Sequence, residues 1–395
     1  MTDISPHGQV SDMACVARIV KQIPPADISS LSMSAPFLEM LGQCWDYDPL
    51  RRPTIGQCLT VVESELTGQL LEVSSIILEG HTDEIRDIAF SPDGALIASG
   101  SFDTTLRIWG SESGSLITTL EEGHEIVSLA FSPVGTRIAL RSLMGLSIWD
   151  VAPEALVARS RSQEWVRTST QKMSGLGSVA FSPDGGLLAC GSGSGMVFIL
   201  DGSSGLSLFS FQAISSWVYG LAFSPDGRWL ASSSWDGTVQ VWDAAASISP
   251  MTGWQRPAVT LKIQMGLVRS VAFSPNGLFL AVGSLTRTSI CIYGVLSWSR
   301  LVDFNVGGTA RSIAFSPDST RLACGTGRGD VEIWGTENWT QVETLDGHAD
   351  DVNSVKFSPD GTRLASCSSD KTVRIWSMKP KTTSAIPTTS SSEPM

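Results

Sequence analysis

The sequence predicts an all-β fold assembled from seven like units, and three observations predict it. The phrase FSPDG, or a near copy, occurs seven times, with its phenylalanines at Phe90, Phe131, Phe181, Phe223, Phe273, Phe315 and Phe357. Successive copies lie 41, 50, 42, 50, 42 and 42 residues apart, and a period of this size marks one supersecondary unit stacked many times. The composition agrees: 37 Gly and 19 Pro punctuate a chain that is 42% apolar and only 17% charged, as many short strands joined by tight turns require.

Each unit reads in the same order. An alternating apolar stretch leads to the phenylalanine, a Ser-Pro-Asp-Gly turn follows, then a second apolar stretch such as RLASCSS, another turn and a third strand. In the first unit Pro92 presets φ for the turn, and Gly94 supplies the positive φ that other residues resist. The third strands end at Trp109, Trp149, Leu200, Trp242, Tyr293, Trp334 and Trp376. Alternation with polar neighbours buries one face of each.

Gly80-His81, the FSPDG phrase, Asp103 and Ile108-Trp109 make the first unit similar to a WD40 repeat, and the resemblance covers residues 74–378. It implies a seven-bladed WD40 β-propeller over residues 73–378, a ring of four-stranded blades around a central channel. Each repeat would supply the outer strand of one blade and the inner three of the next. Ser74 to Leu78 would then close the ring against the blade formed within His348 to Trp376. The resemblance further implies buried hydrogen-bonded sets, His81, Ser99, Asp103 and Trp109 in the first repeat and His348, Ser366, Asp370 and Trp376 in the last.

The middle repeats depart from this pattern. His124 is expected to fill the His place in the second, with Leu140 and Leu143 replacing Ser and Asp; the fourth keeps Ser232, Asp236 and Trp242 without a His. Cys190 and Cys324 fall at the Ser position of the third and sixth. Blades two, three, five and six are therefore expected to rest on apolar packing, at roughly 1.5 to 3 kcal/mol per large buried side chain. A His near a Ser and an Asp invites a hydrolase triad. Its recurrence at equivalent places, without a nucleophile elbow, makes it structural.

The flanks read differently. Residues 1–30 are expected to be disordered. Residues 31–72 hold a short helical segment, with Phe37, Leu41 and Trp45, then Ile55, Cys58, Leu59 and Val62 near a 3.6-residue period. CWDYDPLRRPT, Cys44 to Thr54, resembles the C-terminal end of a tyrosine-kinase-like protein kinase domain. No glycine-rich loop, lysine strand, HRD loop or DFG precedes it, so phosphoryl transfer is not expected. The alternative reading of the chain is a regulatory or degenerate piece of a kinase–WD40 fusion in signalling. Residues 379–395, rich in Ser, Thr and Pro, are expected to form a disordered tail.

Charge and cysteine usage exclude several classes. The net charge of −12 repels phosphate backbones and anionic lipid. No apolar run reaches the roughly 18 residues of a membrane span, and the N-terminus lacks the order of a secretory signal. Seven scattered cysteines without a CxxC pair suggest neither disulfides nor zinc. The expectation is a cytoplasmic protein, with the nucleus the other compartment open to it, using no cofactor or metal, catalysing no reaction and binding neither nucleic acid nor membrane.

WD40 geometry brings the positions four and six residues before each phrase phenylalanine, and the one before the turn Asp, onto one face. These positions give Trp217, Tyr219 and Trp235 in the fourth unit, Arg269 and Arg311 in the next two, and Arg86 and Phe102 in the first. Trp, Tyr and Arg most often dominate binding energy. The expected function is a non-catalytic scaffold, adaptor or sensor that takes a protein or peptide on this face. Longer loops at 153–172, with Arg159, Arg161 and Arg167, and at 244–257 add surface that short turns lack.

Overall fold

Runs of three to seven residues form the strands of the computed structural model, which describes residues 75–150, 166–172, 175, 177–244, 254, 256–263 and 266–378. Twenty-eight strands among these residues, β1 (Ile76–Leu78) to β28 (Val373–Ser377), make seven antiparallel four-stranded sheets. Blades 1 to 6 span residues 85–121, 126–172, 179–212, 218–262, 268–305 and 310–345. Blade 7 joins β26 (Val352–Phe357), β27 (Arg363–Ser368) and β28 to β1. The expected helical, kinase-like segment, both expected disordered termini and most of the two long loops lie outside the described residues.

The ring closes by β1 pairing antiparallel with β28, in the register Ile76↔Ile375, Ile77↔Arg374 and Leu78↔Val373. Arg374 Nη1 adds a hydrogen bond to Ser75 Oγ at 3.2 Å. Pairing supplies partners for the edge of β28 and buries Leu78 to 2% exposure.

The core lies between blades. Ala98, Leu106 and Ile108 of blade 1 meet Ile126, Leu129, Phe131 and Ile138 of blade 2 in one cluster. Polar groups on the first strands stitch neighbouring blades together around the channel. Asp87 Oδ2 accepts from the Leu129 amide (2.9 Å) and Ser128 Oγ (3.0 Å), Ser270 Oγ accepts from the Ile313 amide (3.1 Å), and Ser312 Oγ from that of Val355 (3.1 Å). Ser354 Oγ donates back to Asp87 Oδ1 at 2.8 Å. Each bond removes a buried donor that would otherwise cost about 1 to 3 kcal/mol.

One seam is built differently. A Cβ on Gly100 would come within 2.5 Å of Ile126 Cγ2, so blades meet closely there. The corresponding residue of blade 2 is Arg141, on β7 (Arg137–Ser142), and it is fully buried. Space comes from blade 3, whose first strand, β10 (Val179–Phe181), has three residues. The Arg141 guanidinium donates to the carbonyls of Ser142 (2.6 Å) and, across the seam, Gly175 (2.8 Å).

Candidate binding face

The hydrogen-bonded sets brace blades 1 and 7. Trp109 Nε1 donates to Ser99 Oγ at 2.8 Å, Ser99 Oγ meets His81 Nε2 at 2.8 Å, and His81 Nδ1 meets Asp103 Oδ2 at 2.8 Å. A neutral imidazole protonated on Nδ1 satisfies this chain. Burial drives His81 toward that neutral form, against the pull of Asp103. Burial also disfavours the Asp103 carboxylate, but hydrogen bonds from the Thr105 hydroxyl, the Thr82 amide and His81 outweigh it and bring the pKa down to about 2. Trp376, Ser366, His348 and Asp370 repeat the set with the same three 2.8 Å distances. Blade 4 keeps only the bond from Trp242 Nε1 to Ser232 Oγ, at 3.1 Å.

Blades 2 and 6 correct the expectation of apolar bracing. His124 is exposed. Glu122 is buried instead and accepts from Trp149 Nε1 at 3.0 Å and from the Ser147 hydroxyl. Register explains the substitution: Glu122 lies as far before Phe131 as His81 lies before Phe90. In blade 6 Glu332, directly opposite Cys324 in the sheet, accepts from Trp334 Nε1 at 3.0 Å and from the Gly307 amide at 2.5 Å. Losing the Ser left two indole N–H groups without acceptors, and carboxylates took both. Cys190 and Cys324 are fully buried, and burial raises both thiols, Cys190 to about 11. Such thiols are inert.

Trp217, Tyr219 and Trp235 come together on blade 4. Ring centroids are 5.4 Å apart for Trp217 and Trp235, 5.5 Å for Tyr219 and Trp235, and 6.0 Å for Trp217 and Tyr219. Trp217 is 40% and Trp235 45% exposed, while Tyr219 is half-buried. Beside them blade 3 presents glycine: a Cβ on Gly193 would sit 3.7 Å from Trp217 Nε1.

Tyr219 links this cluster to the channel. It lines a cavity of about 380 Å³ together with Arg86, Arg269, Arg311 and Asn353, all at the same offset in their repeats. Arg86 pairs with Glu84 at 3.2 Å and lies 4.9 Å from the Phe102 ring centroid. Arg311 pairs with Asp351. Asn353 Oδ1 accepts from both Arg311 Nη1 (3.2 Å) and Arg269 Nη2 (3.4 Å). Burial, and then the charges of Arg86 and Arg311, push Arg269 down to about 9. The structure thus gathers every candidate residue of the face except Phe102 into one aromatic and cationic surface, and Phe102 joins it through Arg86. Asn353, at the offset shared by the arginines, joins them on this face.

Seven such blades around a channel form a β-propeller of the architecture that WD40 repeats build. Five segments, residues 72–110, 166–201, 205–243, 257–292 and 339–377, match the family described as WD domain, G-beta repeat, and support that assignment. The chain is similar to the Periodic tryptophan protein 2 homolog of Schizosaccharomyces pombe, 42% identical over 88 residues, 22% of this chain and 10% of that protein. It is also similar to Small ribosomal subunit protein RACK1y of Oryza sativa, 34% identical over 114 residues (29% of this chain, 33% of that protein). Coronin-7 of Homo sapiens is 31% identical over 144 residues, 34% of this chain and 15% of that protein. The matches thus span about a third or less of each relative's length.

Proposed function

We propose that this propeller is a non-catalytic protein-interaction scaffold, an adaptor or sensor that takes a protein or peptide on the face built by blades 1, 4, 5 and 6. The observation that carries the reading is the aromatic trio: two indole rings stand 40% and 45% exposed against Tyr219, continuous with a ring of arginines. Clustered apolar surface in water is costly to keep without a partner, and these residue types dominate interface energetics. The His–Ser–Asp sets are occupied in bracing the blades, which favours binding over catalysis. A net charge of −12 favours a protein ligand over nucleic acid, in the cytoplasm or the nucleus. One relative carries a ribosomal name, so a ribonucleoprotein assembly is a fitting setting for such a protein contact.

The test is affinity capture from lysate with the wild-type chain and the double variant Trp217→Ala/Trp235→Ala, quantified by mass spectrometry. The variant should lose the wild-type partners with its melting temperature shifted by no more than about 2 °C, as surface substitutions do. Retention of the same partners refutes the proposal.

A further inference from the structure

The channel mouth is electrically unfinished. Of its three arginines, Arg86 is paired with Glu84 and Arg311 with Asp351, but Arg269 meets no carboxylate among the described residues. One neutral oxygen, Asn353 Oδ1, serves both Arg269 and Arg311. Arg86 Nε and Arg311 Nε are buried without a hydrogen-bond partner among the described residues. Lys356 lines the same cavity, and Asp87, the carboxylate in its lining, is engaged by Ser128, the Leu129 amide and Ser354. Four cationic side chains thus line the cavity against one carboxylate, in a chain of net charge −12.

Leaving buried guanidinium donors unpaired is costly, and an anion is the chemistry that completes them. Arginine forks match the planar oxygens of a carboxylate and the tetrahedral oxygens of a phosphate. The cavity, about 380 Å³, has room for one side chain. Tyr219 forms both its wall and the edge of the aromatic trio, so one ligand segment can touch both.

We propose that the channel mouth seats an anionic side chain, carboxylate or phosphate, between Arg86, Arg269 and Arg311. That side chain belongs to the same protein or peptide whose apolar residue lies on Trp217 and Trp235, so this inference rests on the binding face proposed above. Recognition is then two-pronged: the aromatic trio gives affinity, and the arginines choose acidic segments over neutral ones.

The experiment uses the full chain and end-capped peptide libraries that fix one Phe and, at each spacing from it, Glu, phosphoserine, Gln or Lys. Retained sequences are resynthesised with a fluorophore and measured by anisotropy. Glu or phosphoserine peptides should bind at least about tenfold more tightly than their Gln counterparts, and whichever acidic arm is tighter identifies the anion. Arg269→Gln should erase that preference, and Arg269→Lys should keep most of it. Should Arg269→Gln fail to fold, added salt serves instead: it should weaken acidic peptides and spare the Gln peptides. Equal binding of Glu, phosphoserine and Gln peptides by the wild type overturns this inference. The aromatic face still stands in that case if Trp217→Ala/Trp235→Ala abolishes all of the binding. Acidic preference that survives the double Trp variant overturns the two-pronged arrangement, and retention of no peptide overturns both readings.

Discussion

Replacing Glu122 by Ala removes the acceptor that braces blade 2. The residue is 5% exposed, and its carboxylate takes bonds from Trp149 Nε1 at 3.0 Å and from Ser147, with Arg167 Nη1 3.6 Å away. The Ser147 hydroxyl can rotate to another acceptor, but the indole N–H cannot. An orphaned buried donor costs about 1 to 3 kcal/mol, and the emptied volume adds about 1 kcal/mol more. A total of about 2 to 4 kcal/mol lowers the melting temperature by roughly 3 to 6 °C in a domain of this size. Glu122→Gln keeps a carbonyl for the indole and should cost about 1 kcal/mol. His124→Ala, at an exposed site, should stay within about 0.5 kcal/mol of wild type. Thermal unfolding followed by intrinsic fluorescence at neutral pH separates the three variants. A loss in His124→Ala equal to that in Glu122→Ala would falsify the assignment of the brace.

Two further outcomes follow from ring closure and titration. Deleting residues 73–80 removes β1, re-exposing the edge of β28 and losing the burial of Leu78, which alone is worth roughly 1.5 to 3 kcal/mol; an unchanged melt in calorimetry refutes closure by this strand. Acid should destabilise the protein in two stages. His81 has a folded pKa below its ordinary 6.5, so the unfolded chain binds its proton first and stability falls as pH drops below 6.5. Asp103, depressed from 3.8 to about 2, contributes roughly 2 kcal/mol above pH 3.8 that disappears as pH falls through about 2. Denaturant titrations across pH should show both stages, and His81→Gln should flatten the first; an equal slope in that variant assigns it elsewhere.

The repeat made the ring legible because each FSPDG phrase fixes a turn, and a turn fixes where two strands begin. Fixed offsets from those phenylalanines carried the reading further, to Trp217, Tyr219 and Trp235 on one blade and to three arginines around one channel. What the offsets did not reveal was compensation. Glu122 reads as a surface acid in a loop, and His124 drew the eye by residue type although it sits out of register. A signal was present: Trp149 and Trp334 persist where Leu140 and Cys324 replace the Ser, so an acceptor had to come from elsewhere. Arg141 shows the same limit. Its position alternates inward, but nothing local tells that blade 3 leaves a place for a guanidinium. Fits between neighbouring blades are non-local, and a single repeat does not encode them.

The clasp between β1 and β28 sets a schedule for synthesis. Ser75 and Arg374, joined by a hydrogen bond, are 299 residues apart. At about 5 to 20 residues per second, β1 waits about 15 to 60 s after leaving the ribosome before its partner strand exists. Six blades can form vectorially in that interval, but the seventh cannot. A nascent chain therefore carries an unpaired strand at one end and an unfinished sheet at the other. Two chains completing translation side by side can exchange those strands, since β1 of one fits β28 of the other equally well. Fidelity of assembly thus depends on how crowded the polysome is, and dimers exchanged through β1 are the misassembly this closure invites.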